Sequence, residues 1–223
     1  MSSENVFERL YSLKGKRALV TGASSGIGRA IATCYAEAGA TVGVHGTNEQ
    51  KIVDTVQSIE ALGGSVVSLK QPLASKADSE ALIAQAVEKL GGIDILVNNA
   101  ANRGHNKIVD MPFAEWKEIT SIILDGGFLC TRAAVKLMTP KKWGRVIFLG
   151  GIGPHLGYKE RCHVSAGKMG SVGMMHCLAT ELAADGITVN VVAPGRIGGK
   201  RAPSAGEPTG IVPPVGFVGG LKM

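Results

Sequence analysis

Aromatic side chains make up only 4% of the 223 residues, far too few for a platform on which nucleic-acid bases stack. The net charge of +6 is spread along the chain. Its small clusters, Lys14-Gly15-Lys16-Arg17, Lys141-Lys142 with Arg145, and Lys200-Arg201, read as solvated basic surface without interleaved aromatics, so no nucleic-acid partner is expected. Cysteine is scarce: Cys34, Cys130, Cys162 and Cys177 form no C-x-x-C pair, which argues against a disulfide framework or a zinc site and for reduced, buried thiols in the cytoplasm. No apolar run is long enough to cross a bilayer. The opening MSSENVFERL carries charge early, unlike a secretory leader, so neither membrane nor export is expected. Repeats, heptads and low-complexity linkers are missing as well.

What is present is enough apolar sequence, 45%, to bury one core, and residues 1–223 read as a single domain. Six short apolar segments recur: RALVTG from Arg17, TVGVHG from Thr41, SVVSLK from Ser65, IDILVNN from Ile93, RVIFLG from Arg145 and ITVNVVA from Ile187. Several are apolar on both faces, as strands of a parallel sheet covered by helices on each side would be. Helical stripes lie between them. Ile27, Ile31, Cys34 and Ala38 form the first; Ile52, Val56, Ile59 and Leu62 the second, ended by Gly63-Gly64; Leu82, Ala86 and Leu90 the third, ended by Gly91-Gly92. Longer helices are expected over about 112–138 and 164–184. The pattern specifies an α/β fold, a doubly wound, Rossmann-like parallel sheet with helices on both faces. Residues 196–223, rich in Gly, Pro and Ser, read as an irregular lid followed by a short last strand around Phe217-Val218.

The first strand runs into TGASSGIG, Thr21 to Gly28, and then into a helix. That succession suits a dinucleotide: a tight turn at Gly22, close backbone approach at Gly26 and Gly28, and a helix N-terminus facing the pyrophosphate. Taken with NNAA at Asn98 to Ala101, Lys168 four residues after Val164, and Pro194-Gly195 after the sixth strand, it makes nearly the whole chain resemble the short-chain dehydrogenase/reductase family, in the flavour of 3-oxoacyl-carrier-protein reductases. The resemblance implies cofactor contacts from Gly22, Ser24, Ser25, Gly26, Ile27, Gly28, Asn98, Ala100, Lys168, Pro194, Gly195 and Ile197. It also implies a small-molecule or acyl-thioester substrate and a homodimer or homotetramer. The two-fold interface would be built by the helices of 124–138 and 171–184, whose residues Gly126, Gly127, Ala133, Gly173, Met174 and Ala179 would let them pack closely.

In that family a tyrosine exchanges the substrate proton, a lysine one turn later lowers its pKa, a serine polarises the oxygen, and an asparagine feeds a water relay. Carried over, only Lys168 survives. The tyrosine position is Val164, the serine position Gly151, the asparagine position Ile123, the carboxamide-holding position Gly199 and the adenine-touching acid Pro72. Valine, glycine and isoleucine side chains cannot donate or relay a proton. Lys168 would still hold the nicotinamide ribose. Replacement donors are His163, beside the vacant position, and Tyr158 or His155 in the preceding loop. Gly46, where NAD-preferring relatives place a carboxylate, points to NADP(H) over NAD(H), although Thr47 offers no arginine for the 2′-phosphate. Three readings stay open: an oxidoreductase with a substituted donor, a nucleotide-binding pseudoenzyme or partner subunit, and a non-redox lyase or isomerase using Lys168 or His163.

Overall fold

The computed structural model describes residues 10–195 and Ile197. Apolar runs of four to six residues become strands β1 (Arg17–Val20), β2 (Thr41–Gly46), β3 (Ser65–Lys70), β4 (Ile95–Asn98), β5 (Gly144–Leu149) and β6 (Ile187–Val192). They form one sheet in the order β3-β2-β1-β4-β5-β6, every neighbouring pair parallel. The order reverses direction between β1 and β4, and such a switch point opens a crevice at the strand C-termini. Helices α1 (Gly26–Glu37), α2 (Glu49–Glu60), α3 (Lys76–Leu90), α4 (Phe113–Thr120), α5 (Gly126–Met138), α6 (Gly153–Leu156) and α7 (Cys162–Leu182) supply the crossovers. A π turn, Ser121–Asp125, joins α4 to α5 within the helical stretch expected over 112–138. Two cores result. One packs Leu19, Leu96 and Phe148 against α3, α5 and α7; the other packs Val20, Val42 and Val97 against α1 and α2.

Packing corrects several expectations. On α1 the buried residues are Gly28, Ala32 and Ala36, a stripe of small side chains that brings the helix close to the sheet, whereas Cys34 faces solvent. On α2 the buried face is Ile52, Thr55 and Ile59. The helix stops at Glu60, the turn through Gly63-Gly64 carries Leu62 off its axis, and Leu62 is exposed. Only Cys130 is a buried thiol, and its lack of hydration pushes it up to about 12; Cys34, Cys162 and Cys177 are exposed.

The basic clusters at 14–17 and 141–145 are not simply solvated, and the second includes an aromatic residue, while Lys200-Arg201 lies outside the described residues. Lys16 lies 3.9 Å and Arg145 4.5 Å from the ring centre of Trp143, while Arg17 and Lys141 converge on Asp94 and Lys142 on Asp185. Gly126 and Gly127 are buried within their own chain. A β-carbon on Gly127 would stand 3.3 Å from the Phe148 ring, so these two residues serve the core rather than an outer interface. Among the described residues no helix is long and apolar enough to cross a membrane, and no group of three or more His, Cys, Asp or Glu is placed to hold a metal ion. The expected lid, Gly199 and the last strand at Phe217-Val218 lie outside the described residues.

Candidate functional site

The crevice floor is the turn between β1 and α1. Gly22 takes φ +65°, which an L side chain rarely adopts, and a β-carbon there would stand 2.9 Å from the Cα of Ala100. Gly28 is closed in from the other side, since a β-carbon would collide with the Gly22 carbonyl oxygen. Ser25 is the N-cap of α1 in extended conformation without a side-chain cap bond. Helix geometry leaves the first amides of α1 without intrahelical partners, and Gly26 has open space where a β-carbon would be. Ser24, Ser25 and Ile27 line this open end, half-buried or exposed. The turn forms a cradle whose open amides would fit a diphosphate.

Three side chains hold the cradle from behind. Thr21 Oγ1 donates to the Val97 carbonyl and accepts the amides of Asn99 and Ala100, each at 3.0 Å. Asn99 Nδ2 donates to the carbonyls of Thr21 and Gly22 at 2.8 and 3.0 Å. His45 Nδ1 accepts the Gly22 amide at 3.1 Å. None of these was singled out from sequence; a histidine near the end of an apolar strand was the available signal. Asn98, expected at the cofactor, turns its side chain to Thr131 Oγ1 at 3.0 Å. At the end of β2, a β-carbon on Gly46 would meet Ser24 Oγ at 2.7 Å, so packing against the turn keeps this position small. Asn48 Oδ1 caps α2 by accepting the Lys51 amide, and Thr47 is exposed beside it.

Across the switch point, α7 presents Lys168. The residue is 9% exposed, and its ammonium donates to the Leu149 carbonyl at the end of β5. Burial, then the positive charge of Arg103, lowers it to about 8. Around it lie two of the positions that the sequence resemblance assigned to the relay. Ile123 is buried on the π turn, and a β-carbon on Gly167 would stand 3.0 Å from its Cγ2. Gly151 takes φ +150°, so its backbone, as well as its missing hydroxyl, departs from a serine's.

The three candidate replacement donors are placed differently. His163 is fully buried at the start of α7, and its Nε2 lies 3.2 Å from Glu115 Oε1. Asn106 Nδ2 donates to the other Glu115 oxygen at 3.0 Å. The Asn106 bond, ahead of His163, holds that carboxyl below its ordinary range. Gly104 covers the dyad so closely that a β-carbon would collide with His163 Nε2. A second pair, His105 Nδ1 and Glu160 Oε2 at 2.7 Å, fastens the same loop. Tyr158 is half-buried with its ring against Gly153, two residues from Gly151, and His155 is exposed. Beyond β6, Pro194 accepts the Ile152 amide at 3.0 Å, Gly195 is exposed, and Ile197 is half exposed.

Comparison with known proteins agrees with this geometry. The short chain dehydrogenase family model matches residues 16–207. A 3-oxoacyl-[acyl-carrier-protein] reductase of Synechocystis sp. is 37% identical over 189 residues, covering 84% of this chain and 76% of the relative. A (2S)-[(R)-hydroxy(phenyl)methyl]succinyl-CoA dehydrogenase subunit of Thauera aromatica is 36% identical over 191 residues, covering 83% and 74%. The crystal structure of a short-chain type dehydrogenase/reductase from Mycobacterium marinum superposes with a TM-score of 0.80 at 33% identity, covering 84% and 77%. With its sheet order, glycine turn and lysine in place, the chain belongs to the short-chain dehydrogenase/reductase family of oxidoreductases.

Proposed function

We propose that this protein is an NADP(H)-dependent oxidoreductase of a ketone or 3-oxoacyl thioester in which Tyr158 exchanges the substrate proton. The observation that carries the reading is Lys168. A buried ammonium lowered to about 8 is costly to the fold, and it sits where the family keeps the ribose-holding lysine although its tyrosine has become Val164. The 3-oxoacyl-[acyl-carrier-protein] reductase among the relatives supports the substrate class.

The α1 amides and Ser24 and Ser25 would hold the diphosphate, and Lys168 the nicotinamide ribose. A nicotinamide held there would supply or accept the hydride. Lys168 and Arg103 place positive charge beside the crevice, favouring an oxygen that gains negative charge. The Tyr158 phenol gives that oxygen its proton on reduction and recovers it on oxidation. His163, covered by Gly104 and bonded to Glu115, acts as a clamp for the loop over residues 102–106.

A second reading has specific support: a cofactor-binding subunit without turnover of its own. Ile123, Gly151 and Val164 depart together, the Gly151 backbone has followed, and one relative is named as a dehydrogenase subunit. NADPH titration followed by fluorescence and absorbance, with 3-oxoacyl thioesters and simple ketones, separates the readings. Consumption that Tyr158→Phe abolishes and His163→Gln spares supports the first; binding without consumption supports the second. No binding of either dinucleotide removes both.

A further inference from the structure

His45 ties three strand ends together at the base of the cradle. It is the penultimate residue of β2 and is 2% exposed. Its Nδ1 accepts the Gly22 amide at 3.1 Å, and its Nε2 lies 2.7 Å from the Gln71 carbonyl just beyond β3. Its own carbonyl accepts the Ala23 amide at 2.7 Å. A carbonyl only accepts and an amide only donates, so a single protonation state satisfies both ring contacts: the neutral ring with its hydrogen on Nε2. The bonded Gly22 amide is also the one whose φ of +65° sets the turn.

We propose that His45 is a positioning residue for the dinucleotide, holding the Gly22 turn in its binding shape through the Nδ1 acceptor. The inference rests on the reading of this crevice as a dinucleotide site. Protonation would put a hydrogen on Nδ1 facing the hydrogen of the Gly22 amide, replacing a bond with a repulsion. β1 contributes only Arg17, at the opposite end of the strand and bonded to Asp94, and the turn from Thr21 to Gly28 contributes no titratable side chain. The charged groups nearest in the bond network are Asp78, which accepts from the Gln71 side chain, and the exposed Lys70–Glu49 pair. Burial outweighs the Gln71 bond and lowers the ring below its ordinary 6.5, so the neutral state prevails at neutral pH and is lost only on acidification.

The test uses two variants that each preserve half of the ring. His45→Asn places an amide oxygen near the Nδ1 position and keeps an acceptor for Gly22. His45→Gln reaches the Nε2 position and keeps a donor for Gln71 without the acceptor. Dinucleotide dissociation constants are read for wild type and both variants between pH 5 and 8. We expect His45→Asn to bind close to wild type with no loss at acid pH, and His45→Gln to bind about tenfold more weakly at every pH, the scale of one lost buried hydrogen bond. Wild type should weaken as the pH falls below 6.5. Equal weakening of both variants, or an unchanged His45→Gln, overturns the proposal. Absent wild-type binding is instead a failure of the dinucleotide reading. In that case, as when a variant does not fold, the wild type alone still decides: the imidazole 15N spectrum must show a hydrogen on Nε2, and Gly22 amide exchange must accelerate as His45 protonates. A ring with its hydrogen on Nδ1 refutes the inference.

Discussion

Ile123 on the π turn and Gly167 on α7 are in such close contact that a β-carbon on the glycine would stand 3.0 Å from Ile123 Cγ2. The apolar side chain occupies the position where the family keeps a relay asparagine, and the neighbouring helix has only a hydrogen facing it. Placing a polar side chain at 123 therefore means repacking this contact against α7.

Val164→Tyr alone should restore little turnover, because Gly151 provides no hydroxyl and Ile123 keeps a water out. Combining it with Ile123→Asn and Gly151→Ser should raise kcat about 100-fold or more over the best single variant, since residues acting as a unit are non-additive. Gly151→Ser must also leave the φ of +150° and on its own should lower the melting temperature. NADPH oxidation with a 3-oxoacyl thioester checks this. Ordinary enzymatic rates in the unmodified protein would mean that another donor already replaces the tyrosine, and Tyr158→Phe must then abolish them.

Lys168→Met should make the protein without cofactor more stable while weakening dinucleotide binding. The folded lysine titrates at about 8 against about 10.4 unfolded. The unfolded chain therefore binds more protons between those values, and wild-type stability rises with pH across that window. At pH 7 the variant should gain about 2 kcal/mol, less than the full shift because the Leu149 carbonyl loses its donor. Denaturant titrations at pH 7 and pH 10 give the answer: the gain must shrink at the higher pH.

Asp94 works in the opposite direction at the other end of the sheet. Burial opposes its ionisation, but hydrogen bonds from Arg17 and Lys141 hold it at about 2. A carboxyl lowered from 3.8 contributes stability that is present above about pH 4 and lost as the pH falls towards 2. Asp94→Asn should cost about 2 kcal/mol at pH 7 and nothing extra near pH 2. Acid unfolding of the two proteins, compared by circular dichroism, would show the curves converging.

Thr47→Arg should tighten NADP(H) about tenfold with little effect on NAD(H), since a guanidinium beside the end of β2 can pair with a 2′-phosphate. Gly46→Asp should weaken both cofactors, because its β-carbon would press on Ser24 in the cradle. Thermal shifts with the two dinucleotides measure both effects. Equal shifts with NAD(H) and NADP(H) for Thr47→Arg would end the claim of a 2′-phosphate pocket there.

The sheet and the cradle were readable from sequence because their signals are local. Strand periodicity, the glycines from Gly22 to Gly28, and the glycine stop after Leu90 each act within a few residues. Lys168 was readable through its spacing from Val164. The exposed Leu62 was misread because a helical period continues on paper past the residue where the helix ends. His45 and Asn99 carried no legible role, since their partners lie 23 to 78 residues away and become neighbours only when β1, β2, β3 and β4 align.

By itself the sequence determined which segments are strands, where the backbone can turn sharply, and that side chains able to move a proton are missing at 123, 151 and 164. Only the tertiary structure decided which buried polar groups hold the crevice: His45 behind the turn, Lys168 at the end of β5, and the His163–Glu115 pair beneath Gly104. The reason is physical. Propensity and spacing act along the chain, whereas a buried hydrogen bond needs two groups that the fold alone brings within 3 Å.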